Sequence, residues 1–288
     1  MAGKGIGAGA AAPVRSRPWT RFLLPTYVFV VMAYTLVPIA VMVLYTFNKA
    51  PNQRLTFAWQ GFTTEWYGKL FEVADLTQAL VHSLEVATIS SIIATALGTP
   101  AAMALARRRF AGRGVIDLTV VTSLTAPTVV VGASLLGLFI ALSVPRGLTT
   151  ILIAHVAFNL AIVIIVVQAR LSGLDHSLEE AAADLGATPW VGFWKVTMPL
   201  ILPGIFSAFL LSFALSIDDY IITSFVAGQT LTFPLWVAGA VKVGIPPQVF
   251  VMGTLIFFSG VLIAAAALIL QNRSDRHLKN MVAQDDWA

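Results

Sequence analysis

Long apolar runs alternate with short polar segments along most of the chain. Six of these runs predict transmembrane helices, at residues 22–47, 81–106, 118–142, 148–167, 200–225 and 249–270. A spanning helix needs about 20 predominantly apolar residues, because lipid offers no partner to unpaired backbone groups. We therefore expect an all-α, polytopic membrane protein with a transmembrane domain over residues 22–270.

The two ends of the chain lack this pattern. Residues 1–21 are rich in Gly, Ala and Arg and are predicted to form a disordered tail, and residues 271–288 are predicted to form a second tail. The first apolar run is much longer than the ~7–15 apolar residues of a signal peptide, and no small-residue cleavage site follows it. We interpret it as a retained helix.

Composition supports the membrane interpretation and narrows the chemistry. Of the 288 residues, 58% are hydrophobic and 11% are charged, whereas soluble domains carry about 25% charged residues. The absence of cysteine excludes disulfides, thiolate metal sites and cysteine nucleophiles. No basic stripe with interleaved aromatics is present, so we expect no nucleic-acid partner. No metal site is expected either.

The distribution of positive charge predicts the orientation. If the N-terminus is inside, the inner segments hold 13 of the 18 Lys and Arg residues and the outer loops hold the other 5. Loops on the cytoplasmic side carry the excess of Lys and Arg. Both termini are therefore predicted to be cytoplasmic.

Two segments on the predicted outer side have features of their own. Residues 48–79 include the aromatic-rich stretch FAWQGFTTEWYGKLF, which suits either a docking surface or an aromatic belt that anchors helix ends. Residues 231–247, LTFPLWVAGAVKVGIPP, are too short and too interrupted by proline to span. They predict a half-helix or a re-entrant element.

A polar, turn-rich segment at residues 170–199 separates two apolar runs. Leucines and alanines recur at helical spacing over residues 170–185, and His176, Glu179, Glu180 and Asp184 occupy the remaining faces. Gly186 permits a sharp reversal, and Thr188 and Pro189 suit the start of a short helix over 189–196. This helix–turn–helix elbow could rest on the bilayer surface or dock a soluble partner. Its net acidic polar face disfavours the bilayer surface.

The same residues resemble the EAA signature of ABC-importer permease subunits. Glu180, Ala181 and Ala182 are followed after three residues by Gly186, and after nine more by the run Val196 to Pro199. The family pattern is E-A-A-x-x-x-G, nine residues, then I-x-L-P, so Val196 and Met198 are its only departures. The resemblance implies a coupling helix that inserts into a cytoplasmic ATP-hydrolysing subunit. Ala181 and Ala182 would allow close approach, Gly186 the bend and Glu180 a polar contact.

Further stretches resemble the spermidine/putrescine permease subfamily, and within it the second permease subunit. They are GFTTEWY, HSL, DLGA, SFALSIDDYIITSFVAG and VKVGIPPQV, and they cover about residues 61–249. The resemblance implies a type I importer in a prokaryotic cytoplasmic (inner) membrane. Its expected partners are a homologous permease subunit, two copies of an ATP-binding subunit, an extracytoplasmic substrate-binding protein, membrane lipid and a polyamine substrate. ATP and Mg would be bound by the ATPase subunits, and this chain would carry no cofactor.

Acidic residues within the predicted spans are candidates for the substrate pathway. Asp218 and Asp219 lie in the fifth predicted span, where a carboxylate costs about 2.5–3.5 kcal/mol at the bilayer centre and needs a partner. One of them, with Tyr220, could line a cation path or outer gate through charge-assisted hydrogen bonds and cation–π contact. The alternative is a structural ion pair or helix cap. Glu85 could join the path or be merely interfacial.

Other polar residues of the spans are expected to hold helices together. His155 and Asn159 share a helix face and predict interhelical hydrogen bonds. Small residues in the second span predict close helix contact: Ser83, Ala87, Ser90, Ser91 and Ala94. The basic residues at 107–109 and 113 are interpreted as topology determinants that could touch lipid headgroups or an ATPase.

Catalytic motifs are missing from the sequence. It contains no G-x-x-x-x-G-K-[ST], H-E-x-x-H or G-x-S-x-G, so we expect a transport subunit that is not itself an enzyme. Alternatives are a related importer for a phosphonate, ferric iron or another organic cation, an intramembrane hydrolase using Asp218 and Asp219, and a stand-alone channel. Adjacent acids lie about 100° apart on a helix, which disfavours the hydrolase, and a channel leaves the elbow without a purpose.

Overall fold

A computed structural model describes residues 20–55, 58–108, 110–175 and 177–285. Within these ranges the elements are α1 (Thr20–Tyr45), α2 (Glu65–Gly68), α3 (Ala74–Arg107), α4 (Arg113–Thr125), α5 (Thr128–Ala141), α6 (Leu148–Ser172), α7 (Ser177–Asp184), α8 (Pro189–Gly192), a π-helical turn (Phe193–Thr197), α9 (Met198–Ile217), α10 (Ile221–Val226), α11 (Phe233–Val243) and α12 (Pro247–Asp285). Of the tail predicted at 1–21, residues 1–19 lie outside the described part. The second predicted tail begins as a continuation of α12, and residues 286–288 lie outside the described part.

The apolar helices confirm a polytopic membrane protein. Five of them are long and apolar enough to cross a bilayer: Phe22–Tyr45, Ala74–Arg107, Leu148–Ser172, Pro189–Ile217 and Pro247–Ala267. The pair α4 and α5 makes a sixth if the two count as one span, although they are bent by 110°. The prediction of one continuous helix at 118–142 is therefore wrong. Pro127 explains the bend, because proline drives the preceding residue out of helical geometry, and Ala126 has ψ 132.

The fifth predicted span also differs from the structure at both of its ends. The short helix expected at 189–196 is not separate, since α8, the π-helical turn and α9 form one rod from Pro189 to Ile217. The wide π-helical turn lies just before Pro199, which has no N–H to donate back into the preceding turn. At the other end, the helix stops at Ile217 and not at 225, and α10 follows after a three-residue break.

Three helices, α3, α6 and α9, pack together at the centre of the molecule. Their backbones approach closely: a Cβ atom built on Gly98 of α3 would stand 2.6 Å from the Val163 side chain of α6. The small residues predicted to mediate close contact are buried, as expected: Ser83, Ala87, Ser90, Ser91 and Ala94.

The bundle has two unlike ends. At the end that we call the elbow end, α7 and α8 connect α6 to α9. At the opposite end, the loop end, residues 46–55 and 58–73 fold around buried Asn48, whose backbone carbonyl oxygen accepts a 2.9 Å hydrogen bond from the Trp66 indole. The half-helix predicted at 231–247 is confirmed as α11, also at the loop end.

Candidate functional site

The break between α9 and α10 separates the two neighbouring carboxylates. Asp219 accepts hydrogen bonds from the backbone N–H and the hydroxyl of Thr223, both at 2.8 Å, and a longer one of 3.4 Å from the N–H of Ile222. These contacts cap the first turn of α10. Of the roles left open for this residue, the structure supports the helix cap. The expectation that both acids sit within one continuous helix is wrong.

His155 links the helix break to the centre of the bundle. Its buried imidazole contacts the Ser216 hydroxyl of α9 through Nδ1 at 2.5 Å and the Thr223 hydroxyl of α10 through Nε2 at 2.9 Å. The same Nε2 lies 3.5 Å from an Asp219 oxygen. The predicted interhelical hydrogen bonding of this residue is confirmed.

The network continues from Ser216 to α3. The hydroxyls of Ser216 and Ser90 are 3.0 Å apart, and Asn159 of α6 donates a long hydrogen bond of 3.5 Å to Ser90. Four helices, α3, α6, α9 and α10, are therefore tied together by buried polar side chains beside the break. Such bonds hold membrane helices together because lipid offers no polar partner.

Asp218 has a different environment. It is exposed, and with exposed Tyr220 it borders a cavity of about 400 Å³ between α9, α11 and α12. The other lining residues are mostly apolar: Ile217, Phe233, Pro234, Val237, Ala238, Gly253 and Ile256. One carboxylate, one phenol and apolar walls can accept an ammonium group and pack its methylene chain. Glu85 is exposed on α3 and is not among the residues lining this cavity.

The elbow is built as predicted at its turn, with a correction before it. Gly186 has φ +83, a conformation that favours glycine, and Thr188 Oγ1 accepts a 3.4 Å hydrogen bond from the Val191 N–H at the start of α8. Residues 170–185 do not form one helix, because α6 ends at Ser172 and α7 begins at Ser177. His176, part of the predicted polar face, lies outside the described residues.

The outer surface of the elbow is open to solvent in this chain. Glu180, Ala181 and Gly186 are exposed and Ala182 is half-buried. Around them are exposed apolar side chains, with Leu185 at 90% and Trp190 at 70%. Contiguous exposed apolar groups rimmed by polar residues are typical of protein interaction sites. Pro199, the last residue of the EAA run, is also exposed, in the first turn of α9.

The inner side of the elbow contains a contact that sequence reasoning missed. Arg107 Nη1 lies 2.6 Å from Glu179 Oε1, and the same oxygen accepts a hydrogen bond from the Thr197 hydroxyl. The sequence suggests for Arg107 only a topology role or a contact with lipid or an ATPase, and for Glu179 only a polar face, since no spacing links the two residues. Arg109, part of the same basic run, lies outside the described residues.

Most of this chain is similar to known transport proteins. The family model described as binding-protein-dependent transport system inner membrane component matches residues 94–280. The putrescine transport system permease protein PotI of Escherichia coli is 37% identical over 92% of this chain and 94% of its own length. The spermidine/putrescine transport system permease protein PotC of Haemophilus influenzae is 36% identical over 88% of this chain and 98% of its own.

Solved structures share the fold at low sequence identity. A chain of a bacterial ABC transporter involved in the import of the acidic polysaccharide alginate has a TM-score of 0.60 at 18% identity, covering 91% of this chain and 99% of that one. A chain of the MetNI methionine ABC transporter in an inward-facing conformation has a TM-score of 0.55 at 17% identity, covering 67% and 95%. These likenesses support the fold alone.

Proposed function

We propose that this chain, which belongs to the family of binding-protein-dependent transport system inner membrane components, is a permease subunit of an ATP-driven polyamine importer. The observation that carries the proposal is the presence in one chain of an exposed EAA elbow at one end and an exposed carboxylate at a helix break towards the other. The elbow would be moved by the partner ATPase, and Asp218 at the break between α9 and α10 would contact the cationic substrate.

The chemistry of the break supports a polyamine. A polyamine loses hydration on entering the membrane, and a carboxylate with aromatic faces can replace it through charge-assisted hydrogen bonds and cation–π contact. Asp218 and Tyr220 supply both groups beside an apolar cavity of about 400 Å³. A phosphonate would be repelled by the same carboxylate. Glu85, exposed on α3, is assigned to the same path as a further acidic group.

The elbow supports coupling to a separate ATPase. We assign Glu180, Ala181, Ala182 and Gly186 to the docking surface, and Pro199 to the start of the helix that leaves it. Because the sequence has no phosphate-binding loop, ATP and Mg would be bound by two copies of a partner subunit. A homologous permease subunit would complete the pathway, and an extracytoplasmic binding protein would deliver the solute.

Orientation follows from the charge bias. The elbow end and both termini would lie in the cytoplasm, and the loop end outside. Alternating access would then be a rigid-body movement of the helices, driven as the ATPases close on the elbows. The chain would span the inner membrane several times.

The different-class alternatives gain no support. A hydrolase with paired carboxylates needs both acids directed at one substrate, yet Asp219 caps α10 and pairs with His155 while Asp218 is exposed. A channel working alone would not need the exposed apolar elbow. A permease for another organic cation would use the same site, so only substrate testing separates it from a polyamine permease.

Purification of the assembled complex tests the proposal. The complex is reconstituted in vesicles with its binding protein, and ATP hydrolysis is measured with spermidine, putrescine, a phosphonate or ferric iron. We expect an ATPase to co-purify and spermidine or putrescine to stimulate hydrolysis. Solute movement by this chain alone in pure lipid vesicles, or stimulation by the phosphonate or ferric iron only, would overturn the proposal.

A further inference from the structure

The first helix of the elbow has little packing of its own. Within the described part of the chain, α7 buries none of its residues and packs against α8 and the π-helical turn. A cavity of about 420 Å³ lies between it and the ends of α3, α6 and α9. The position of α7 relative to the transmembrane helices is therefore not set by a hydrophobic core. Side-chain links across the cavity must contribute to it.

Glu179 supplies such a link to two central helices at once. Its Oε1 meets the guanidinium of Arg107, the last residue of α3, and the hydroxyl of Thr197, which directly precedes α9. The side chains of Arg107 and Glu179 are only 24% and 30% exposed, so solvent screens this pair less than a fully exposed one. Arg107 also lies at the C-terminal end of α3, where the helix dipole favours a cation.

The two neighbouring acids of the elbow, Glu179 and Glu180, therefore lie in different surroundings and are expected to have different roles. Glu180 is exposed, on the outer surface where the EAA run lies. Glu179, about 100° away around the helix, is half-buried and directed at α3 and α9. The sequence signature draws attention to the first of these residues, while the contacts single out the second.

We propose that Glu179 is a positioning residue that transmits displacement of the elbow to α3 and α9 through Arg107 and Thr197. This inference rests on the proposed function, since it takes the elbow as the surface on which an ATPase acts. The same two helices carry Ser90 and Ser216, which meet at 3.0 Å beside the helix break. Moving their elbow ends as rigid bodies would therefore also move the break that holds Asp218.

Charge exchange in the complete complex tests this role. Glu179→Arg and Arg107→Glu each place like charges together, whereas the double exchange restores an opposite pair. We expect each single variant to lower the solute moved per ATP hydrolysed by on the order of 10-fold, within the usual range of coupling between sites. The double variant is expected to recover most of that loss. ATPase co-purification should stay at the wild-type level throughout.

Further variants separate this role from simple misfolding. Asp117→Asn breaks the exposed ion pair with Arg113, which lies within α4 and joins no second helix, and should leave transport per ATP unchanged. Thr197→Val removes one hydrogen bond with little change of shape and should give a smaller loss than Glu179→Arg. Glu179→Gln keeps an acceptor for Thr197 but removes the charge, and should give an intermediate loss. If the charge-reversal variants do not reach the membrane, Thr197→Val and Glu179→Gln still test whether Glu179 transmits the displacement.

Specific results would overturn the inference. One is a double exchange that stays as uncoupled as the single variants while being present at wild-type levels. Another is unchanged transport per ATP in all the Glu179, Arg107 and Thr197 variants. A third is loss of ATPase co-purification in Glu179→Arg as large as in Glu180→Arg, because that would place Glu179 on the docking surface. A wild-type complex that no polyamine stimulates would instead refute the proposed function, whatever these variants do.

Discussion

Replacing His155 with alanine should loosen the helix break that presents Asp218. The imidazole makes hydrogen bonds to Ser216 and Thr223, at 2.5 and 2.9 Å. Interhelical hydrogen bonds in a membrane protein average about 0.6 kcal/mol with a maximum near 1.7, so losing two corresponds to about 1–3 kcal/mol. The free energy of unfolding should fall by that amount. Polyamine uptake should fall as well, because α10 loses its link to α6 beside the break, while the hydrogen bond from Thr150 to the Val226 carbonyl remains at the far end of α10.

The assay combines thermal unfolding of the purified complex with uptake of labelled spermidine into vesicles. Asn159→Ala is the matched control. It removes a buried polar side chain one turn away on α6, but the Asn159 amide makes only a long hydrogen bond of 3.5 Å, to Ser90. We expect a clearly smaller loss of stability, and uptake closer to that of the wild type.

A double-mutant cycle sharpens the test. Thr223 is bonded both to His155 and to Asp219, so Thr223→Val and His155→Ala remove parts of one network and their effects should not add. Additive losses would mean that the residues act independently. Equal losses for His155→Ala and Asn159→Ala would refute the reasoning too, because burial alone would then account for both.

Asp218→Ala should lower spermidine uptake by on the order of 10-fold with little change in thermal unfolding, if one charge-assisted contact of about 1.5 kcal/mol is lost. Asp219→Ala should instead lower the free energy of unfolding by about 1 kcal/mol or more, since it removes a helix cap; equal behaviour of the two variants would contradict the division of roles. Gly98→Ala should destabilise the complex by about 1–3 kcal/mol, because the new Cβ would stand 2.6 Å from a valine side chain. Gly137→Ala is the control: a Cβ at that position would have no neighbouring atom within 4 Å, so thermal unfolding should not change. Gly186→Ala forces a Cβ into φ +83, at a cost of about 1–2 kcal/mol, and should weaken ATPase co-purification; unchanged association would remove the turn from the coupling surface.

Features with local causes could be predicted from the sequence. The apolar runs predicted the membrane helices, because any segment that crosses a bilayer as a helix must be long and apolar, whatever its position in the chain. The elbow turn followed from Gly186, Thr188 and Pro189, since each acts on the backbone next to it. The half-helix α11 followed in the same way from its prolines. The EAA spacing pointed to the family, which the family match confirms.

Features that depend on distant contacts were missed or misjudged. The bend at Pro127 is an exception, because its cause is local: the continuous apolar composition of residues 118–142 predicts one span in spite of the proline. Asp218 and Asp219 looked alike in sequence, and only the packing of α6 against α9 and α10 brought His155 to one of them. Nothing in the sequence joined Arg107 to Glu179, because their contact exists only once α3 and α7 meet at the elbow end.

The sequence by itself therefore determined which segments are apolar, where the chain turns sharply and which family signature it carries, since these depend on neighbouring residues alone. Tertiary structure decided which of two adjacent acids caps a helix and which stays exposed, and which glutamate of the elbow reaches the transmembrane bundle. The physical reason is that hydrogen bonds and ion pairs act over a few ångströms in space. Residues far apart in the chain meet at that distance only after the helices have packed.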